Sequence, residues 1–116
     1  MSNLILIPAF NPDETLLKIV NDLNKSLENK NTNKSENLIL IINDGSHSKL
    51  SLNILEQIKQ TKNTKVLNNE INMGKGAALK KGILYAKENN FSSIVTADAD
   101  GQHLVEDIIN TLKTLD

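Results

Sequence analysis

Two short, unbroken apolar runs and two shorter strand-like stretches divide the chain, and between them apolar residues recur at intervals of three or four. The first, Leu4-Ile5-Leu6-Ile7, closes at Pro8 and predicts a strand over 3–9. Leu38-Ile39-Leu40-Ile41-Ile42 predicts a second strand, Lys65-Val66-Leu67 a short third, and Ser93-Ile94-Val95-Thr96-Ala97 a fourth. Runs that short, without polar alternation, belong to strands covered on both faces.

The intervening segments carry helical spacing. Leu16, Leu17, Val20, Leu23 and Leu27 predict a helix ending near Leu27, with Asn11 as its cap, Pro12 at its first position and Glu14 reaching back. The stretch 28–36 is polar and without period, which reads as a surface loop. A second helix has Leu52, Leu55 and Ile58 on its inner face, and a third spans 74–90 with a stripe of Ala78, Leu79, Ile83 and Ala86. A last helix carries Leu104, Val105, Ile108, Ile109 and Leu112 and ends at Asp116, leaving no room for further strands. The order β-α-β-α-β-α-β-α predicts one α/β domain over 1–116, a four-stranded parallel sheet with helices on both faces.

Composition narrows the function classes. With 13 Lys+Arg against 14 Asp+Glu, the net charge of -1 gives no basic field for nucleic acid. No apolar run reaches the roughly 18 residues of a membrane span. The absence of cysteine removes disulfides, thiolate metal sites and a cysteine nucleophile, and fits a reducing compartment. All 13 basic residues are lysine, so a phosphate site in this chain must use lysine, backbone N–H groups or a metal.

In parallel sheets ligands sit beyond the carboxyl ends of the strands, where the strand order switches. Four polar clusters fall at those ends: Pro8-Ala9-Phe10-Asn11, Asn43-Asp44-Gly45-Ser46, Asn72-Met73-Gly74-Lys75-Gly76 and Asp98-Ala99-Asp100-Gly101-Gln102-His103. Asp98 and Asp100 lie two apart, so in extended backbone both carboxylates face one side and can share a hard cation, with Gln102 adding a carbonyl oxygen. On spacing alone, that reading and a plain turn-and-cap role stand level. Asp44 is equally an acceptor for a ribose or base N–H and a cap beside Gly45. Gly74-Lys75-Gly76 allows backbone N–H groups to approach an anion at a helix start, but it has neither Walker nor dinucleotide spacing. His103 reads as a base, a ligand or a cap; His47 and the pair Lys80-Lys81 read as solvated surface. Neither histidine has a nucleophile partner, which argues against a hydrolase triad.

Taken in order, the four clusters resemble the N-terminal half of family 2 glycosyltransferases of the GT-A fold, in particular the dolichyl- and polyprenyl-phosphate sugar synthases. The resemblance rests on Ile7-Pro8-Ala9-Phe10-Asn11, Ile42-Asn43-Asp44-Gly45-Ser46, Asn72-Met73-Gly74-Lys75-Gly76-Ala77-Ala78-Leu79 and Ala97-Asp98-Ala99-Asp100-Gly101-Gln102-His103. It implies a hexosyltransferase binding a nucleotide-diphosphate sugar through Pro8, Ala9, Phe10, Asn11, Asp44, Gly74, Lys75, Asp98 and Ala99. It further implies Mg²⁺ or Mn²⁺ held by Asp98, Asp100 and Gln102, and inverting transfer to a polyprenyl phosphate or saccharide. The chain departs from the family pattern at Pro12, Asn43 and Ser48. The family's acceptor half, including its general base, is expected beyond Asp116, so the domain reads as truncated. A truncated chain is expected to self-associate, or to be completed by a second chain, in the cytoplasm or peripherally at the inner membrane face. The alternative is a catalytically incomplete nucleotide-binding module derived from such an enzyme.

Overall fold

The computed structural model describes residues 2–29, 36–99 and 104–115. Its elements run β1 (Ser2–Ala9), α1 (Glu14–Asn29), β2 (Glu36–Asp44), α2 (Lys49–Lys59), β3 (Thr64–Asn69), α3 (Lys75–Glu88), β4 (Ser93–Thr96) and α4 (Leu104–Leu115). The strands form one sheet in the order β3-β2-β1-β4, and every pairing is parallel. Leu4 lies opposite Leu38 and Ile94, so the apolar stretches of β2, β1 and β4 coincide in register.

Side chains alternate between the two faces of a strand, and here both faces are apolar. Ile5, Ile7, Ile39, Ile41 and Val95 face one layer, built by α1, α2 and α4. Leu4, Leu6, Leu40 and Ile42 face the other, where Ala78 and Ala86 of α3 pack on them. Leu4 to Ile7 and Ile39 to Ile42 have no exposed surface, which makes β1 and β2 the centre of the core. The layers are unequal: three helices cover one face and a single helix the other.

Three details differ from the sequence expectation. Asp13, not Asn11, caps α1: its Oδ1 accepts the Thr15 N–H at 2.8 Å and its carbonyl the Leu16 N–H at 3.2 Å. Asn11 has φ 44°, a left-handed conformation, and its carboxamide is used elsewhere; Glu14 is then the first helical residue and not the reach-back position. In α2 the buried residues are Ser51, Ile54, Leu55 and Ile58, while Leu52 is 47% exposed. The helix starts at Lys49 behind the Ser48 cap; Leu55 and Ile58 face inward as expected, and Ser51 and Ile54 take the place of Leu52. In α3, Ile83 is 49% exposed and Gly82 faces the sheet instead. Ala78, Gly82 and Ala86 sit four apart, and a Cβ on Gly82 would lie 2.2 Å from Leu6 Cδ1. The helix lies so close to β1 that only small residues fit along its seam.

β3 and β4 are the outer strands, and Ile94 on β4 is 37% exposed. Among the described residues no helix is long and apolar enough to cross a membrane.

Candidate functional site

Strand order reverses direction between β1 and β4, and the carboxyl ends of the strands open there onto a cavity of about 400 Å³. Its walls come from four separate stretches. The exit of β1 supplies Pro8, Ala9, Phe10 and Asn11; the end of β2 supplies Asp44. The loop before α3 supplies Gly74 and Lys75, and the exit of β4 supplies Asp98 and Ala99. All nine residues singled out for nucleotide-sugar binding therefore line one cavity. Pro12, Asp13 and Asn72 line it too and were not singled out. Asp100, Gln102 and His103 lie outside the described residues.

Phe10 is 48% exposed on the cavity wall, and the His47 ring meets it edge-on, with centroids 5.8 Å apart. Asn11 ties this wall to the β2–α2 loop: its Oδ1 accepts the N–H groups of His47 and Ser48 at 2.9 and 3.2 Å. Its own N–H donates to Ser46 Oγ at 2.8 Å, and its Nδ2 lies 3.3 Å from His47 Nε2. His47 is exposed, as expected, and also braces the Phe10-Asn11 turn. The polar end of Asn11 is spent on that loop.

Asp44 is 4% exposed, and both its carboxylate oxygens are engaged by its own chain. Oδ1 accepts Asn69 Nδ2 at 3.1 Å and the Met73 N–H at 2.8 Å, and Oδ2 accepts the Gly74 N–H at 2.9 Å. Burial pushes the carboxyl up, but the Met73 N–H, the Asn69 amide and the Gly74 N–H outweigh it and hold it below its ordinary value. Asn69 in turn accepts from Lys81 Nζ at 3.0 Å, and the same ammonium donates to the Asn68 carbonyl at 2.7 Å. Lys81 therefore braces the end of β3 and is not plain solvated surface. The Gly74 N–H is taken by Asp44 and by Asn72 Oδ1, so that amide is not the anion donor the glycine pair suggested.

At the cavity mouth Lys75 Nζ lies 2.7 Å from Asp98 Oδ1, with both side chains largely exposed. Carboxylate oxygens suit a hard divalent cation, and a positive group already stands on this one. As a donor the Asp98 carboxylate suits such a cation, but its Oδ1 is taken by Lys75 Nζ, which a cation would have to displace. No cluster of three or more His, Cys, Asp or Glu occurs among the described residues.

The model for glycosyl transferase family 2 matches residues 4–116. The chain is 34% identical over 113 residues to an uncharacterized protein of Methanocaldococcus jannaschii, covering 96% of this chain and 45% of that one. It is 34% identical over 106 residues to a dolichyl-phosphate beta-glucosyltransferase of Trichomonas vaginalis, covering 89% of this chain and 32% of the relative. A dolichyl-phosphate beta-glucosyltransferase of Dictyostelium discoideum is 29% identical over 120 residues, covering 97% of this chain and 36% of the relative. The chain spans between about a third and a half of the length of these relatives.

Proposed function

The chain belongs to glycosyl transferase family 2, and on that footing we propose that it binds a nucleotide-diphosphate sugar for inverting sugar transfer. The acceptor would be a lipid phosphate or a saccharide hydroxyl. The observation that carries this reading is the convergence of four separate chain segments on one cavity at the strand-order switch. Two of the relatives bear the name dolichyl-phosphate beta-glucosyltransferase, which supports a lipid-phosphate acceptor.

In this reading Phe10, half-exposed beside Pro8 and Ala9, offers its ring to the nucleotide base, a stacking surface that tolerates any base. Asn11 holds that wall in place through His47 and Ser48. Asp44 and Gly74 form the floor, and Lys75 and Asp98 flank the diphosphate, with Ala99 leaving room beside them. With no arginine in the chain, Lys75 meets the phosphates as a point charge. Asp98, together with Asp100 and Gln102, would hold Mg²⁺ or Mn²⁺. Bound there, the cation would stabilise the diphosphate as it leaves. A lipid phosphate oxygen is already anionic and attacks without a general base. With such an acceptor the protein would work in the cytoplasm, peripherally at the inner membrane face.

A second reading is that residues 1–116, which span only part of the length of these relatives, bind nucleotide without turning over donor by themselves. Calorimetric titration of UDP and GDP, with and without Mn²⁺, tests the common core of both. Metal-dependent binding of at least one nucleotide is expected; no metal-dependent binding of either would sink the proposal. Donor turnover by the chain alone then separates the enzyme from the binding module.

A further inference from the structure

We infer that Asp44 is a positioning residue: its buried carboxylate seats the 71–74 loop and thereby fixes where α3, and with it Lys75, begins. The inference rests on the nucleotide-binding reading above and assigns Asp44 a role within it. A carboxylate presents about four acceptor positions. Three are filled from within the chain, by Asn69, Met73 and Gly74. Its capacity is thus spent mainly on backbone, with little left for a ligand.

The seat has two parts. Gly45, next to Asp44, has φ 74°, and a Cβ there would lie 2.2 Å from Asn72 N and 2.4 Å from the Ile71 carbonyl carbon. The loop therefore rests directly on the Gly45 backbone while Asp44 grips it from the side. Gly74, at φ 97° and ψ 160°, takes a conformation that L side chains rarely adopt, although open space surrounds its Cβ direction. Its requirement is conformational, and the bond from its N–H to Asp44 selects that conformation.

A bracket closes behind the seat. Lys81, in the second turn of α3, holds Asn69 at the end of β3; Asn69 holds Asp44; and Asp44 holds the residue before Lys75. Helix α3 is thus fixed just before its first residue and again along its body, both times through the ends of β2 and β3. The outcome is read at Lys75, whose ammonium stands at the cavity mouth 2.7 Å from Asp98. Loosening Asp44 frees the start of the helix, and the ammonium loses its set place against a diphosphate.

Two variants disturb the seat by different routes. Asp44→Asn keeps the shape and one acceptor oxygen but turns an NH₂ group toward N–H donors. Gly45→Ala leaves the carboxylate intact and pushes the loop upward. In the ligand-free protein, amide hydrogen exchange at Met73 and Gly74 is expected to accelerate in both. With Mn²⁺ present, affinity for UDP or GDP is expected to fall about tenfold or more, the worth of one charge-assisted contact. Binding of the matching nucleoside, followed by NMR titration, is expected to stay within about twofold, because no phosphate is involved. If Asp44→Asn weakens nucleoside as much as diphosphate while Gly45→Ala weakens neither, Asp44 is a direct ligand contact and the inference fails. If both variants lower only the melting temperature and keep diphosphate affinity, the role is merely structural and the inference fails as well. If the unaltered protein binds neither diphosphate, the nucleotide reading itself is lost, and the exchange rates alone then report the seat. Should Asp44→Asn not fold, the Gly45→Ala arm decides.

Discussion

Lys75 Nζ stands 2.7 Å from Asp98 Oδ1, joining the first residue of α3 to the exit of β4 across the mouth of the cavity. The two side chains are 63% and 60% exposed, so the pair adds little to folding. Its significance lies in charge placement: the chain has no arginine, and this ammonium faces a carboxylate that suits a hard cation.

The first prediction follows from that exposure. Lys75→Met should change unfolding free energy by less than about 1 kcal/mol, the range of exposed ion pairs. It should nevertheless weaken UDP or GDP binding about tenfold, as loss of one charged contact to phosphate does. Urea unfolding and calorimetric titration of the same sample separate the two. Unchanged nucleotide affinity would remove Lys75 from the site.

A second prediction concerns the start of α1. Asp13 accepts the Thr15 N–H, and that bond holds its carboxyl below the ordinary range. Asp13→Ala should lower the urea midpoint, as loss of an N-cap does. Asn11→Ala should instead loosen the Phe10 wall, because its carboxamide holds His47 and Ser48. A cap-sized loss for Asn11 and none for Asp13 would restore the capping arrangement expected from sequence.

The fold and the site were legible in the sequence to different depths, for physical reasons. Strands such as 38–42 were visible because burial on both faces demands an unbroken apolar run. The four polar clusters converged because parallel strands all end on one edge. Helix faces were read less well: in α2 the inner face takes Ser51 and Ile54 beside Leu55 and Ile58 and leaves Leu52 outside, and in α3 the inward position went to Gly82, whose lack of a side chain hides it from any hydrophobic pattern. The bracing roles of His47 and Lys81 were missed because their partners lie 36 and 12–13 residues away. A polar side chain gives no local sign of such a partner. Asp44 was found, but its grip on Met73 and Gly74 spans 29 and 30 residues and emerges only once β2 and β3 are paired.

The third prediction tests the α3 seam. A Cβ on Gly82 would meet Leu6 side-chain atoms at 2.2 to 2.9 Å, and Leu6 has no exposed surface into which to move. Overpacking of this kind costs about 1–3 kcal/mol, while replacing a helical glycine with alanine returns about 1 kcal/mol. Gly82→Ala should therefore be neutral to mildly destabilising, and Gly82→Val clearly destabilising. The double variant Gly82→Ala with Leu6→Val should recover part of any loss. Urea midpoints for the three variants decide it; a stabilised Gly82→Val would mean that α3 stands further from β1.

The last prediction is the acid limb of stability. Asp44 has its carboxyl below the ordinary value of 3.8 in the folded chain, so the unfolded chain binds that proton more tightly. Its contribution is therefore present at neutral pH and is lost as pH falls from the ordinary value down through the folded one. Asp13 is lowered in the same direction and adds to the same limb. Unfolding free energy should stay nearly flat from about pH 7 to about pH 5 on account of these two groups, then drop below about pH 4. In Asp44→Asn the neutral-pH stability should be lower and the acid drop shallower, because nothing remains at that position to protonate. Asp13→Asn serves as the comparison, since its bond to Thr15 lies on the surface and does not hold the 71–74 loop. If urea unfolding at a series of pH values gives the Asp44→Asn protein the same acid slope as the unaltered chain, the carboxylate is not held by the Met73 and Gly74 amides in solution.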